Sequence, residues 1–439
     1  MASLAPQTSA PDPTDADLIA ARPQLRRHAM DGLLLEDVPL NAIADALGTP
    51  TWVYSAGTLR SRLAELTTAL AGLNFHIHYA VKANDHLAVL RIMRNGGAGA
   101  DVVSCGELLR ARKAGIDASR IVFSGVGKTE SEIRLALSEG IYQLNVESPA
   151  ELSMISAIAA SMGRTADIVL RINPDVDAGT HAKITTGKAD NKFGIPYGEA
   201  IALYAHASHL PGIRPQGLAL HIGSQILSMA PYRAAFTRAA DMIRFLRSAG
   251  HSVARMDCGG GLGIGYGDEP GASPAAFAGA LRQVFGGMDL ALATEPGRWL
   301  AAPAGVLLAS VVLTKGDGRF MVLDAAMNDL IRPSMYDAWH GIVPVSANNG
   351  GIEREIDVVG PVCETGDTFA RGRRMVPVPA GQRVAILDAG AYGAVMSSTY
   401  NSRPLAAIAM VDGGKWTTIR ARQKLEALWD GEIIPDFTE

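Results

Sequence analysis

The 439-residue chain has few cysteines, no block of like charge and no long apolar run, and each shortage closes off a class of function. Its three cysteines, Cys105, Cys258 and Cys363, stand far apart and none belongs to a CxxC pair, which excludes a disulfide framework and a structural zinc site. Such usage fits a reducing cytoplasm. Lys+Arg number 40 against 44 Asp+Glu, without basic clusters or basic-aromatic interleaving, so nucleic acid is not an expected partner. The longest uncharged apolar stretch, Trp299 to Leu313, is short for a membrane span and is broken by Pro303 and Gly305. Residues 1–28 mix Ala, Pro, Asp, Thr and Ser with no basic start leading into an apolar core, and they read as a disordered tail, not a signal peptide.

What is present is length and alternation. The chain exceeds the size at which one core keeps growing, so a large domain plus a smaller one is expected. Between about residue 50 and residue 300, short β-rich runs alternate with amphipathic stretches. The predicted strands are His76–Val81, Gly99–Val103, Ile121–Ser124, Tyr142–Val146, Ile168–Ile172, Gly217–Ile222, Arg255–Gly259 and Leu290–Thr294. Three junctions carry S/T-x-x-E capping boxes, at Ser104–Glu107, Thr129–Glu132 and Ser148–Glu151. Eight such units predict a (β/α)8 TIM barrel, with its site at the carboxyl ends of the strands. The rival, a doubly wound open sheet, would need a phosphate fingerprint in its first turn, and none is there. Beyond residue 300 the runs become β-like, at Ala304–Thr314, Arg319–Asp324, Glu355–Val359, Arg383–Leu387, Leu405–Val411 and Lys415–Ile419. The expected organisation is a tail over 1–28, a segment over 29–50 packing with the β domain, a barrel over 51–302 and a mostly β C-terminal domain over 303–439.

Lys82 ends the first predicted strand, where a lysine either faces solvent or points inward as a Schiff-base amine. Gly125-Val126-Gly127-Lys128-Thr129 tempts a P-loop reading, but Val122 stands where the first glycine would be, so it reads as a turn. The run Cys258 to Gly265 fits no GxGxxG placement and reads as a glycine loop able to bring backbone N–H groups against a phosphate. Glu295-Pro296-Gly297-Arg298 combines a carboxylate, a bare backbone and a guanidinium at another strand end. His221 closes a strand beside Ser224, although a lone histidine there is more often structural. In the β domain, Cys363 adjoins Glu364 between glycines, where a buried inert thiol is the default. Arg332 and Tyr336 lie four apart, and Tyr392 sits among small residues.

Taken in order, YAVKAN, ADVVSCGE, NKFG, HIGSQ, CGGGLG, EPGR, NDLIRPSMY, GPVCETGD and DAGAYG closely resemble the fold-type III pyridoxal-phosphate decarboxylases of the diaminopimelate decarboxylase kind, from about residue 30 to the C-terminus. The resemblance implies an alanine-racemase-like barrel with a C-terminal β domain, pyridoxal 5'-phosphate as cofactor, and decarboxylation of meso-2,6-diaminopimelate to L-lysine and CO2, the last step of lysine biosynthesis. It makes Lys82 the covalent anchor of the cofactor, puts His221 on the ring face and Glu295 at the ring nitrogen, and has Asp101 support the ring near Lys82, with Arg171 in the supporting polar shell. Ser224, Gly260, Gly261, Gly297, Arg298 and Tyr392 would hold the phosphate. It further implies a homodimer with shared sites, in which Cys363, as proton donor, and Glu364 reach the other subunit's cofactor. Arg298, Arg332, Tyr336, Glu364 and Tyr392 would bind the substrate's far carboxylate and amino group. Val126 and Gly265-Tyr266-Gly267 depart slightly from the family's pattern, and the tail is extra.

The chemistry accords with these assignments. Loss of CO2 leaves electrons at Cα, which a ring kept protonated by Glu295 accepts, whereas an arginine there would favour racemisation. A thiol near neutrality can protonate the carbon afterwards. Arg332 with Glu364 complements a distal amino-acid end, while a decarboxylase of ornithine or lysine would want acids there and no arginine. Alternatives are a relative acting on carboxynorspermidine, ornithine, arginine or a carrier-bound amino acid, an amino-acid racemase, and a non-enzymatic cofactor-binding regulator, which would be expected to lack Lys82 or Cys363.

Overall fold

The computed structural model describes residues 12–177, 192–346 and 351–438. The first eleven residues of the expected tail and Asn191 of the NKFG motif lie outside the described residues. Eight parallel strands form the barrel: β1 Phe75–Ala80, β2 Gly99–Val102, β3 Ile121–Phe123, β4 Gln143–Val146, β5 Ala166–Asn173, β6 Ile213–Ala219, β7 Arg255–Asp257 and β8 Ala291–Thr294. The ring closes because β8 pairs with β1 (Leu292 opposite Phe75) and β4 pairs with β5 (Leu144 opposite Ile168). Strands covered by helices outside and by one another inside are buried on both faces, which is why they read as short apolar runs and not as alternation.

Helix starts fall where the capping residues place them. Thr129 opens the helix Glu130–Glu139 with a closed capping box. Ser104 and Ser148 also cap, but their glutamates reach one residue further back: Glu107 Oε2 accepts from Val103 N–H at 2.8 Å, and Glu151 Oε2 from Glu147 N–H at 2.8 Å. Each carboxylate thus ties a helix start to the backbone just beyond a strand end, the level at which a barrel site is built.

The second domain is a sheet ordered Thr368–Met375, Arg354–Val359, Phe320–Leu323, Gly305–Lys315, Thr51–Ser55, Ala407–Asp412, Lys415–Arg420, with Arg383–Ile386 also pairing with Gly305–Lys315 and Ile342–Pro344 pairing with Arg383–Ile386. Thr51–Ser55 corrects the expected organisation. Counted above with the barrel, it lies in the middle of this sheet, antiparallel to Gly305–Lys315 and parallel to Ala407–Asp412. Thr368–Met375 and Ile342–Pro344 were not expected as strands.

The tail reading also needs correction for residues 12–28. Asp15–Ala20 is a helix capped by Thr14 and Asp17, its Leu18 is buried, and Leu25–His28 pairs with Gly32–Leu35. Arg22 is buried in a fork on Asp388, with Nε donating to Oδ2 at 2.8 Å, and it also donates to the carbonyls of Leu18 and Tyr266. Further on, Leu33, Leu35, Leu40 and Ile43 pack against Val306, Leu308, Val343 and Ala385 of the second sheet. An Arg22→Met variant leaves Asp388 buried without a counter-charge and is expected to lose about 3–5 kcal/mol in chemical denaturation. Adding Asp388→Leu should recover much of that loss.

Candidate active site

A cavity of about 760 Å³ opens at the carboxyl ends of the barrel strands and under the second domain. Of the residues singled out above, Lys82, Arg171, His221, Ser224, Gly261, Glu295, Gly297, Arg298, Arg332, Tyr336 and Tyr392 line it. Asp101 and Gly260 lie directly behind that lining, while Cys363 and Glu364 lie outside it, exposed at the surface. Cys363 is therefore not the buried thiol of the default reading; Cys258 is, and burial pushes its pKa well above the usual thiol value.

Lys82 leaves β1 in a single 3-10 turn, Val81–Ala83, that aims its side chain into the barrel mouth. Its Nζ donates to Asp101 Oδ2 at 3.2 Å. The side chain keeps 37% of its accessible surface, but that surface faces the cavity. Burial works against the ammonium, yet Asp101, with its charge and its hydrogen bond, leads the groups that outweigh burial and hold Lys82 above the ordinary lysine range. Asp101 is fully buried and its Oδ1 has no hydrogen-bond partner.

Glu295 follows β8 and is buried, with Oε1 accepting from Asn145 Nδ2 at 3.2 Å and Ser124 Oγ at 3.4 Å. Burial, then Asp101 and Asp257, push its carboxyl well above the usual range, and burial raises Asp257 as well. Burial thus biases both carboxyls towards their protonated forms. His221 Nδ1 accepts from Gly260 N–H at 3.3 Å; burial and the charges of Arg171 and Lys82 hold it far below the ordinary histidine value, so the ring is neutral. Arg171 is ion-paired to Glu147 at 2.9 Å, and Glu147 also accepts from the backbones of Gly125 and Gly194, so one carboxylate fixes three segments of the rim.

On the other side of the mouth, Arg298 Nη2 donates to Ser224 Oγ at 3.2 Å, its guanidinium lies 4.9 Å from the Tyr392 ring centre, and its Nε is buried without a partner. A Cβ on Gly260 would strike the Glu295 carbonyl, one on Gly261 the Gly223 carbonyl, and one on Gly297 would come within 2.9 Å of Ala83 Cβ and 3.3 Å of Tyr392 Oη. Bare backbone, a hydroxyl and an unspent guanidinium donor thus surround one space. This donor set fits a phosphate, and an amine beside a buried acid fits the aldehyde of pyridoxal phosphate.

At the far end stand Arg332 and Tyr336, on the short helix Arg332–Tyr336. Arg332 Nη1 lies 2.6 Å from His340 Nε2, while His340 Nδ1–H donates to the Leu387 carbonyl at 2.8 Å. Burial, with Arg332 beside it, keeps His340 neutral. The second domain is tied to the Lys82 turn by Tyr392 N–H on the Ala83 carbonyl (2.8 Å) and Asn84 Nδ2 on the Gly390 carbonyl (2.9 Å). Cys363 sits on a loop drawn in by Asp367, which accepts from Met327 N–H and Val362 N–H at 2.7 Å each.

Sequence reasoning missed Tyr266, Glu269, Trp339 and Met396, which line the cavity, and Asp257, Glu147 and His340, which support it. For Asp257 and Glu147 a signal existed, since both are acids at predicted strand ends. Lys128 proves structural, as its turn reading had it: buried, and ion-paired to Glu151 at 2.6 Å. Because His221 and His340 resist protonation when folded but titrate near pH 6.5 when unfolded, they withdraw stability as pH falls below about 6.5. Nitrogen-15 NMR of both imidazoles should show neutral rings from pH 8 down to about 5.5.

Residues 56–302 match the family model of the pyridoxal-dependent decarboxylase, pyridoxal binding domain. The chain is 49% identical over 407 residues to a diaminopimelate decarboxylase of Zymomonas mobilis, covering 91% of this chain and 96% of that protein. With the diaminopimelate decarboxylase of Vibrio cholerae it is 44% identical over 411 residues, 92% of this chain and 98% of the other. Among solved structures, the diaminopimelate decarboxylase of Helicobacter pylori complexed with L-lysine superposes with a TM-score of 0.86 at 39% identity, covering 89% of this chain and 98% of that one. With a family match over more than half its length and such relatives along nearly all of it, the chain belongs to the pyridoxal-dependent decarboxylases, among the diaminopimelate decarboxylases.

Proposed function

We propose that the chain is a pyridoxal-phosphate-dependent carboxy-lyase that converts meso-2,6-diaminopimelate to L-lysine and CO2, working as a cytoplasmic homodimer with shared sites. One observation carries the substrate: the same cavity holds a lysine amine at one end and two buried arginines, Arg298 and Arg332, towards the other, so a substrate that loses one carboxylate has cations waiting for a second. The names of the relatives support the same reading.

When bound, the cofactor supplies an electron sink for the pair left at Cα as CO2 departs. Lys82 Nζ would be the amine for its aldehyde, held in place by its hydrogen bond to Asp101 Oδ2. Glu295, held by Asn145 and Ser124, would be the group that meets the ring nitrogen and keeps a proton there. Neutral His221 offers a flat apolar face without adding charge, and Arg171 remains bound to Glu147 beside it. Ser224, Gly260, Gly261, Gly297, Arg298 and Tyr392 take the phosphate, while Arg298, Arg332, Tyr336 and Tyr392 face the substrate. No helix among the described residues is long and apolar enough to cross a membrane.

Cys363 and Glu364 stand exposed outside their own cavity, which leaves them available to a neighbouring subunit. In the proposed dimer, the partner subunit's Cys363 delivers a proton from Sγ to Cα. The partner subunit's Glu364 meets the distal ammonium group.

Incubated with pyridoxal phosphate and a panel of diaminopimelate, ornithine, lysine and arginine, the protein should release CO2 from diaminopimelate; release from ornithine alone would reject the substrate. Lys82→Ala should abolish turnover, and full activity of that variant would reject the mechanism. Cys363→Ala should lower kcat by roughly 10²–10⁴-fold. Mixing the two inactive variants should restore activity through hybrid dimers with one complete site, and no recovery would argue against shared sites.

A further inference from the structure

We propose that Tyr266 is a specificity-determining residue whose hydroxyl oxygen is held by Arg298 while Arg332 lies over its ring, leaving its hydrogen as a third donor, beside the two arginines, to the substrate's distal carboxylate. The proposal rests on the diaminopimelate reading above. Tyr266 follows the glycine loop after β7, lines the cavity and is 8% exposed. Its main chain is fixed on both sides: its N–H donates to Glu269 Oε1 at 2.9 Å, with Gly267 N–H on Oε2 at 2.9 Å, and its carbonyl accepts from Arg22 Nη2 at 2.7 Å. Arg22 is itself locked onto Asp388, four residues before Tyr392, so one guanidinium sets the position of both tyrosines that flank Arg298.

At the side chain, Arg298 Nη1 donates to Tyr266 Oη at 2.6 Å while Nη2 goes to Ser224. One arginine is thus divided between the phosphate cradle and the far end of the cavity, with Tyr266 fixing the division. The Arg332 guanidinium lies 5.0 Å from the Tyr266 ring centre, and the His340 ring meets that ring edge-on at 5.1 Å. A phenol oxygen that accepts from a guanidinium leaves its hydrogen to be donated elsewhere, and its O–H is polarised into a stronger donor. Two buried guanidinium groups packed about one tyrosine call for an anion beside them. On diaminopimelate that anion is the carboxylate that is not lost.

Tyr266→Phe keeps the ring and removes the hydroxyl. For the holoenzyme, KM for meso-diaminopimelate should rise about ten- to a hundredfold, as for loss of a hydrogen bond to a charged group, with kcat changed by less than about threefold. Inhibition by L-lysine, which keeps the distal carboxylate, should weaken by the same factor. Inhibition by 1,5-diaminopentane, which has no carboxylate, should not change, nor should the affinity for pyridoxal phosphate measured by fluorescence titration. An unchanged KM overturns the proposal; so does equal weakening of both inhibitors, or a cofactor affinity that falls in step with KM. A wild-type protein that fails to decarboxylate diaminopimelate refutes the reaction and this proposal together, and does so before any variant is made.

Discussion

The site depends on one strand being in an unexpected sheet. Thr51–Ser55 is buried along its whole length between Gly305–Lys315 and Ala407–Asp412, so segments from the start, middle and end of the chain share one set of backbone hydrogen bonds. The second domain is therefore anchored by chain that runs directly into the barrel, and its Asp388–Gly393 loop is held over the Lys82 turn by the bonds of Asn84 and Tyr392. Tyr392 takes a left-handed backbone, φ +56°, a strained choice for a tyrosine that these contacts sustain. Without that seam, the residues that face Lys82 across the cavity would have no fixed place.

Within the cavity the charges are sorted by depth. At the barrel end Asp101 and Glu295 lie beside the Lys82 ammonium, with Asp257 behind Glu295. Guanidinium groups lie at the rim and under the second domain, where Arg298 and Arg332 are packed on tyrosines and, among the described residues, not ion-paired with acids. Tyrosine rings stabilise a cation without neutralising it. The cavity accordingly presents a proton-rich floor and an anion-seeking wall, the polarity that suits a ring nitrogen at one end and phosphate or carboxylate at the other.

Much of this was legible in the chain, and the limits have physical reasons. The barrel strands were readable because burial on both faces leaves short apolar runs bounded by turn residues and followed by caps such as Thr129 and Ser148. Thr51–Ser55 looks the same, but its sheet partners lie far along the chain, and local pattern carries no information about partner choice. Thr368–Met375 was hidden by its exposed arginines and Gly372 at positive φ, as befits an edge strand. Residues 12–28 look like a tail by composition, and only the third dimension brings Arg22 to Asp388. Tyr266 stood out merely as a departure from a pattern; its meaning comes from two arginines that a sequence cannot place beside it.

The woven sheet also governs the order in which the molecule can be made. During synthesis, Thr51–Ser55 emerges long before Gly305–Lys315 and Ala407–Asp412, so an apolar strand destined for the centre of a sheet must wait, both edges bare, while the barrel forms behind it. Both strands that cover it leave the ribosome after the barrel, and the roof of the active site is completed only then. A nascent chain halted at the end of the barrel would thus hold Lys82, Glu295 and Arg298 in place and still be sticky and inert.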